Sequence, residues 1–187
     1  MTAHYLEGKP VADAVLTQVT QRVKILKEKG VVPGLGTILV GDDPASAGYV
    51  RKKHEACKEY GFVSFDMHIS NEATQTDLRN TVNEFHANPD VHASIIQYPV
   101  PNGFDYTEAN EAMLPEKDAD GLHPVNLGKL VLQEEDPIPA TPAGIQAMLM
   151  HYDIPVKGRE VVIVGRGSTL GRPLSLLLTL KKPGANA

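Results

Sequence analysis

Three short apolar runs, Leu35 to Val40, Phe62 to Ile69 and Val91 to Gln97, are separated from one another by stretches with helical periodicity, and this alternation constrains the fold more than any other feature. Parallel strands cannot be joined by tight hairpins and are usually linked by helices, so the order strand, helix, strand predicts a mainly parallel sheet covered by helices. The boundaries carry matching signals. Asp43-Pro44 offers an N-cap and a first helical position, Thr74-x-x-Asp77 resembles a capping box, and Gly61 is a natural stop for the helix begun at Pro44. Upstream, Val11, Val15, Val19, Val23 and Leu26 recur at helical spacing and predict an amphipathic helix from Pro10 to Lys29.

Composition narrows the function classes. A chain of 187 residues can bury roughly 70% of its unfolded surface, so a real core is expected. Its 18 basic residues are outnumbered by 23 acidic ones, and no basic block is longer than Arg51-Lys52-Lys53, so nucleic-acid binding is not expected. No apolar run approaches the ~18 residues of a membrane span, which predicts a soluble chain with no membrane partner. Cys57 stands alone and Met1-Thr2-Ala3-His4 lacks a basic-then-apolar signal segment, so a cytoplasmic location is expected. The histidines at 4, 54, 68, 86, 92, 123 and 151 form no His-x-x-x-His pair and no Cys-x-x-Cys accompanies them, so no metal site is expected.

The region from Pro115 to Pro142 is rich in Pro, Gly and Asp and reads as an ordered loop. Thr141-Pro142 then opens a helix through Ile145, Met148 and Leu149, followed by an expected strand at Arg159 to Val164 and a helix at Leu174 to Leu180. A domain boundary is placed near 140 to 155, giving a domain over 1–140 and, over 141–187, a linker helix and a nucleotide-binding domain that starts without finishing. No G-x-x-x-x-G-K-[ST] loop and no G-x-S-x-G elbow occurs, which argues against a nucleotide triphosphatase or a serine hydrolase.

Four places could carry chemistry. On the helix after Pro44, Tyr49, Lys53, Ala56 and Tyr60 share one face, so Lys53 lies on the less polar stripe. Desolvation there would lower its pKa toward the range useful for proton transfer, though spacing alone favours a lysine whose stem covers apolar surface. Gln97 falls at the carboxyl end of a predicted parallel strand, where open α/β sheets bind ligands, or it simply anchors a loop. In Lys117-Asp118-Ala119-Asp120-Gly121-Leu122-His123-Pro124, two carboxylates beside a glycine could orient a polar ligand or form an Asx-turn, and His123 is expected to satisfy a local hydrogen bond. Finally, Val161-Val162-Ile163-Val164-Gly165-Arg166-Gly167-Ser168-Thr169-Leu170-Gly171 runs from a strand through glycines into a helix. Such a turn lets backbone N–H groups approach a phosphate, and an arginine inside it could meet the 2′-phosphate of NADP. A glycine turn with no ligand stays open.

Taken together, Ala45-Ser46-Ala47-Gly48-Tyr49-Val50-Arg51-Lys52-Lys53, Gln97-Tyr98-Pro99-Val100-Pro101, Lys117 to Leu130, Pro139-Ala140-Thr141-Pro142-Ala143-Gly144 and Gly165 to Pro173 resemble, in order and spacing, the bifunctional methylenetetrahydrofolate dehydrogenase/methenyltetrahydrofolate cyclohydrolase family. The resemblance covers essentially the whole chain. It implies two α/β domains, an N-terminal folate-catalytic domain and a Rossmann-type nucleotide-binding domain incomplete in this chain. It implies that Tyr49 stacks on the folate ring system, that Lys53 is the central catalytic residue tuned by Gln97, and that Ile96, Tyr98 and Asp120 complete the substrate site. It further implies that Gly165, Arg166, Gly167 and Ser168 bind NADP, and that the protein pairs as a homodimer in one-carbon metabolism. Two positions depart from the family pattern: the usual Gly-Arg-Ser is Gly165-Arg166-Gly167, and the cysteine often found before Thr-Pro is Ala140. Family members are also longer, which leaves open a truncated polypeptide that binds folate or associates without catalysing. A generic nucleotide sensor is the remaining alternative, and it leaves Tyr49, Lys53, Gln97 and Asp120 unexplained.

Overall fold

The structure is a computed structural model that describes residues 4–134 and 137–187. Met1, Thr2 and Ala3, read above for a signal segment, lie outside the described residues, as do Glu135 and Asp136 of the expected loop. Gln18–Ala119 forms one compact unit, and the residues up to Thr17 form another with Asp120–Ala187. Among the described residues no helix is long and apolar enough to cross a membrane.

The first unit is built on three parallel strands, β1 (Gly34–Val40), β2 (Val63–Ile69) and β3 (Ala93–Ile96), in the order β2-β1-β3. Helix α1 (Gly8–Glu28) leads into β1, α2 (Pro44–Tyr60) connects β1 to β2, and α3 (Gln75–Ala87) carries the chain from β2 across to β3. The expected alternation is therefore what forms, and the α/β class with it.

Side chains alternate across the sheet, and the two faces differ. Ile38 and Val40 of β1, Ile69 of β2 and Ile96 of β3 pack with Leu78, Val82 and Phe85 of α3 in one hydrophobic cluster. Ile38 and Leu78 are fully buried, each contributing roughly 1.5–3 kcal/mol. The opposite face presents Thr37, Asp66 and Gln97 toward α2 together with Leu39 and Ile95, and is the more polar of the two.

Helix α2 begins where Asp43 accepts a hydrogen bond from the Ser46 backbone N–H at 2.7 Å and Pro44 opens the first turn. That backbone bond, then the Ser46 side chain, holds the Asp43 carboxyl below its ordinary pKa. It ends at Gly61, in the left-handed conformation at φ 81°. Ahead of α3 the capping box is complete: the Thr74 side chain accepts from Asp77 N–H at 3.2 Å while Asp77 accepts from Thr74 N–H at 2.8 Å. Lys117 closes the other end of α3, its ammonium donating to the carbonyls of Phe85, His86 and Asn88. Burial first, and the Lys117 charge second, push the His86 imidazole below its usual pKa.

Three expectations need correction. The buried stripe of α2 is Ser46, Val50 and Cys57 with Lys53 half-buried between them, whereas Tyr49 and Ala56 face solvent. The expected loop after Pro115 contains α5 (Pro124–Leu132), with His123 at its N-cap accepting from Val125 N–H at 3.1 Å; a short α4 (Tyr106–Glu111) precedes it, capped by Asp105. The strand expected at Arg159 to Val164 does not form. A strand exists through the hydrogen bonds of a neighbour, and among the described residues none pairs with this segment, which leaves Val162 and Val164 exposed.

In the second unit, α6 (Ala140–His151) and α7 (Gly171–Thr179) follow α5. Helix α7 is the hub. Leu177 joins Leu130 of α5 in one cluster, while Leu174 and Leu178 meet Val156, with Ile145, Leu149 and Ile163 packed beside them.

Candidate functional site

In the first unit, Gln97 and Lys53 are 44 residues apart in sequence and meet in space. The Gln97 backbone N–H donates to the Ile38 carbonyl at 2.9 Å, which extends the β3–β1 pairing one residue past β3. Strand alternation then turns the Gln97 side chain away from the Ile96 face and toward α2. There the Lys53 ammonium Nζ donates to Gln97 Oε1 at 2.8 Å, and Gln97 Nε2 donates to the Tyr98 carbonyl at 2.8 Å. The second bond fixes the amide so that oxygen, and not nitrogen, faces the lysine. Gln97 is 8% exposed, so this orientation is held inside the protein.

The chemistry of the pair follows from its partners. A carboxylate in place of Gln97 would stabilise the charged ammonium, whereas a neutral amide orients the amine without adding an opposite charge. An amine so placed, at the carboxyl end of a parallel sheet, can take and return a proton at a ligand held there. Tyr49, one turn before Lys53 on α2, is 61% exposed and available for stacking. Tyr98 is also exposed, its ring edge-on to Tyr106 with centroids 5.2 Å apart, beside a cis Tyr98–Pro99 bond. Ile96 differs: its side chain is buried in the α3-side core.

Sequence reasoning did not see how Lys117 to Ala119 docks. Asp118 is 2% exposed and bridges to Ser94 of β3, with Ala119 N–H donating to the Ser94 carbonyl at 3.2 Å. A two-residue pairing has no periodicity, so no local signal marks it.

The second unit holds the other expected residues. Asp120 is half-buried and its carbonyl accepts from Ala140 N–H at 3.2 Å. Gly165 has φ 143°, a conformation that favours glycine, and Gly165, Arg166, Gly167 and Ser168 are all exposed. The turn closes tightly on α7: a Cβ at Gly171 would lie 2.4 Å from the Gly165 carbonyl oxygen and 2.7 Å from its carbon. No side chain caps the first turn of α7; Pro173 has no N–H, and the Arg172 and Leu174 N–H groups donate to the Gly167 and Leu170 carbonyls at 3.1 and 2.8 Å. Ser168 and Arg172 also line a cleft of about 270 Å³ with Leu127, Val131 and Leu176. A glycine turn packed tightly on a helix start, with Arg166 and Arg172 beside it, is a setting that fits a dinucleotide phosphate.

These features define an α/β protein with a lysine–glutamine pair at the carboxyl end of its sheet and a glycine turn of the dinucleotide-binding type. The model of the tetrahydrofolate dehydrogenase/cyclohydrolase catalytic domain matches residues 6–120, and that of the family's NAD(P)-binding domain matches residues 139–186. The chain belongs to the tetrahydrofolate dehydrogenase/cyclohydrolase family.

Among its relatives, the bifunctional protein FolD of Syntrophotalea carbinolica is 65% identical over all 187 residues, and the chain spans 64% of that protein's length. The crystal structure of the bifunctional FolD methylenetetrahydrofolate dehydrogenase/cyclohydrolase from Campylobacter jejuni is 34% identical with a TM-score of 0.92, over 97% of this chain and 64% of that one. The Trypanosoma brucei FolD structure, complexed with NADP cofactor and inhibitor, is 34% identical with a TM-score of 0.89, over 95% and 61% of the two chains.

Proposed function

We propose that this chain carries the catalytic site of a bifunctional folate enzyme, which oxidises 5,10-methylenetetrahydrofolate with NADP and hydrolyses the resulting 5,10-methenyltetrahydrofolate to 10-formyltetrahydrofolate. The observation that carries this reading is the 2.8 Å bond between Lys53 Nζ and Gln97 Oε1, which juxtaposes a proton-handling amine and its orienting amide. The family membership, and relatives titled as bifunctional FolD, support it. Residues 1–140 are read as the substrate domain and 141–187 as the linker helix and opening of the cofactor domain.

Tyr49 stacks on the ring system, Ile96 and Tyr98 border Gln97, and Asp120 anchors the pterin. In the hydrolysis, water adds to the methenyl carbon and Lys53 takes one of its protons as the C–O bond forms. The second proton passes to the ring nitrogen as the C–N bond breaks and the formyl carbonyl forms, so one proton is released overall. NADP, held at Gly165, Arg166, Gly167 and Ser168, supplies the hydride acceptor for the first reaction. For that reaction the chain's own residues position the substrate, which is where most of the rate comes from when no proton need move. The cytoplasm as its location and a homodimer as its assembly belong to the same reading.

Because Tyr49 is exposed, replacing it should weaken ligand binding without disturbing the fold. Tyr49→Ala is expected to raise the Kd for 10-formyltetrahydrofolate about tenfold, the ~1.4 kcal/mol expected of a lost aromatic stack, with Tm unchanged. Titration calorimetry beside thermal melting checks this; an unchanged Kd would count against the proposed folate site.

A further inference from the structure

The neighbour of Lys53 makes a second polar contact, on the other side of α2. His54 Nε2 lies against the Asp66 carboxylate on β2, a contact that becomes an ion pair when the imidazole is protonated and that is not a directed hydrogen bond, while Lys53 reaches Gln97 just beyond β3. In the sheet order β2-β1-β3 those anchors lie on opposite sides of β1, roughly 10 Å apart across two strand spacings. Asp66 also accepts from Ser64 Oγ at 3.2 Å, so its carboxylate is itself held in place.

Val50 and Cys57 of α2 are buried, but the apolar packing of this helix is thinner than that of α3. The α3-side cluster contains Leu78, Val82 and Phe85, whereas among the described residues no α2 side chain belongs to a hydrophobic cluster. The sheet face toward α2 carries Thr37, Asp66 and Gln97 beside the apolar Leu39 and Ile95, and the Thr37 hydroxyl is buried with no hydrogen-bond partner. Two polar contacts on either side of a helix axis oppose rolling in both directions. A roll of about 20° moves a side chain about 2 Å at the ~6 Å radius of a helix with its side chains, enough to break a hydrogen bond.

We propose that the His54–Asp66 contact is a positioning device: it fixes the roll of α2 and so holds Lys53 on Gln97. His54 and Asp66 are positioning residues that act through Lys53, and their effect on turnover rests on the catalytic reading of Lys53 given above. The placement itself does not rest on it, and the two can be tested apart.

The experiment compares Asp66→Leu, His54→Leu and Asp66→Asn with the unaltered chain. It follows the side-chain amide signals of Gln97 and the Cε signal of Lys53 by NMR, and kcat and KM for methenyltetrahydrofolate hydrolysis. Both leucine variants are expected to move the Gln97 and Lys53 signals and to lower kcat about tenfold, with KM within twofold. Asp66→Asn keeps an oxygen facing His54 and should restore both. His54 is only half-buried, so His54→Leu supplies the answer if Asp66→Leu fails to fold. Unmoved Gln97 and Lys53 signals in a folded leucine variant overturn the proposal. Moved signals with unchanged kcat leave the device standing and overturn the catalytic reading of Lys53.

Discussion

Lys53→Met is expected to lower the rate of methenyltetrahydrofolate hydrolysis by about 10²–10⁴-fold, the range that a positioned general base supplies. Methionine has nearly the length of lysine and keeps the stem that lies between Val50 and Cys57 on the half-buried stripe of α2, so the helix should dock as before. What disappears is the amine that donates to Gln97. The loss of methenyl absorbance reports the rate, and circular dichroism with thermal melting reports the fold. Stability should fall by no more than about 1–3 kcal/mol, since no cavity is opened and the one group left without its donor is the buried Gln97 Oε1. Hydrolysis at the normal rate by the folded variant would remove Lys53 from the mechanism.

The second large effect is expected at Gly171, far along the chain and in the other compact unit. Its added Cβ in Gly171→Ala would meet the Gly165 carbonyl oxygen at 2.4 Å and Arg166 N at 3.0 Å. All are backbone atoms, so no side chain can swing aside and the glycine turn itself must move away from α7. A turn displaced from the start of the helix no longer offers the phosphate a single set of donors. NADP affinity should fall at least about thirtyfold, or ~2 kcal/mol, and the unit should lose about 1–3 kcal/mol through overpacking. Calorimetric titration with NADP measures the first and denaturant unfolding the second. Unchanged affinity would mean that the phosphate does not sit where Gly165 and Gly171 meet.

What could be read from sequence was local or periodic. Asp43-Pro44, Gly61 and Thr74-x-x-Asp77 marked helix ends because caps work through atoms two to four residues apart, and all three hold in the structure. The strand and helix alternation survived for the same reason. Helix α5 gives a weak signal because its nine residues make under three turns and carry Asn126 and Gly128 within a Pro-, Gly- and Asp-rich stretch, so Val125, Leu127, Leu130, Val131 and Leu132 do not set a clear period. The apolar run at Arg159 to Val164 forms no strand because such a run states a preference, and pairing needs a partner that composition cannot supply.

The site was legible in part. Gln97 was placed correctly at a strand end by topology alone, and its meeting with Lys53 follows from parallel crossover order and strand alternation. The phase of α2 was less secure. Tyr49 and Lys53 lie a turn apart, yet Tyr49 is exposed and Lys53 half-buried, because Ser46, Val50 and Cys57 set the buried line. His54–Asp66 left no trace in the sequence at all. The two residues lie on different elements, and only the register that sets Thr37 opposite Asp66 brings β2 under that end of the helix.

The most direct test of the account is the absorbance decay of 5,10-methenyltetrahydrofolate in the presence of this chain, folded and monitored by circular dichroism, beside its Lys53→Met variant. The account predicts decay well above the buffer rate with the chain and decay at the buffer rate with the variant. Equal decay in both would contradict it, since the bond between Lys53 and Gln97 would then have no part in the chemistry.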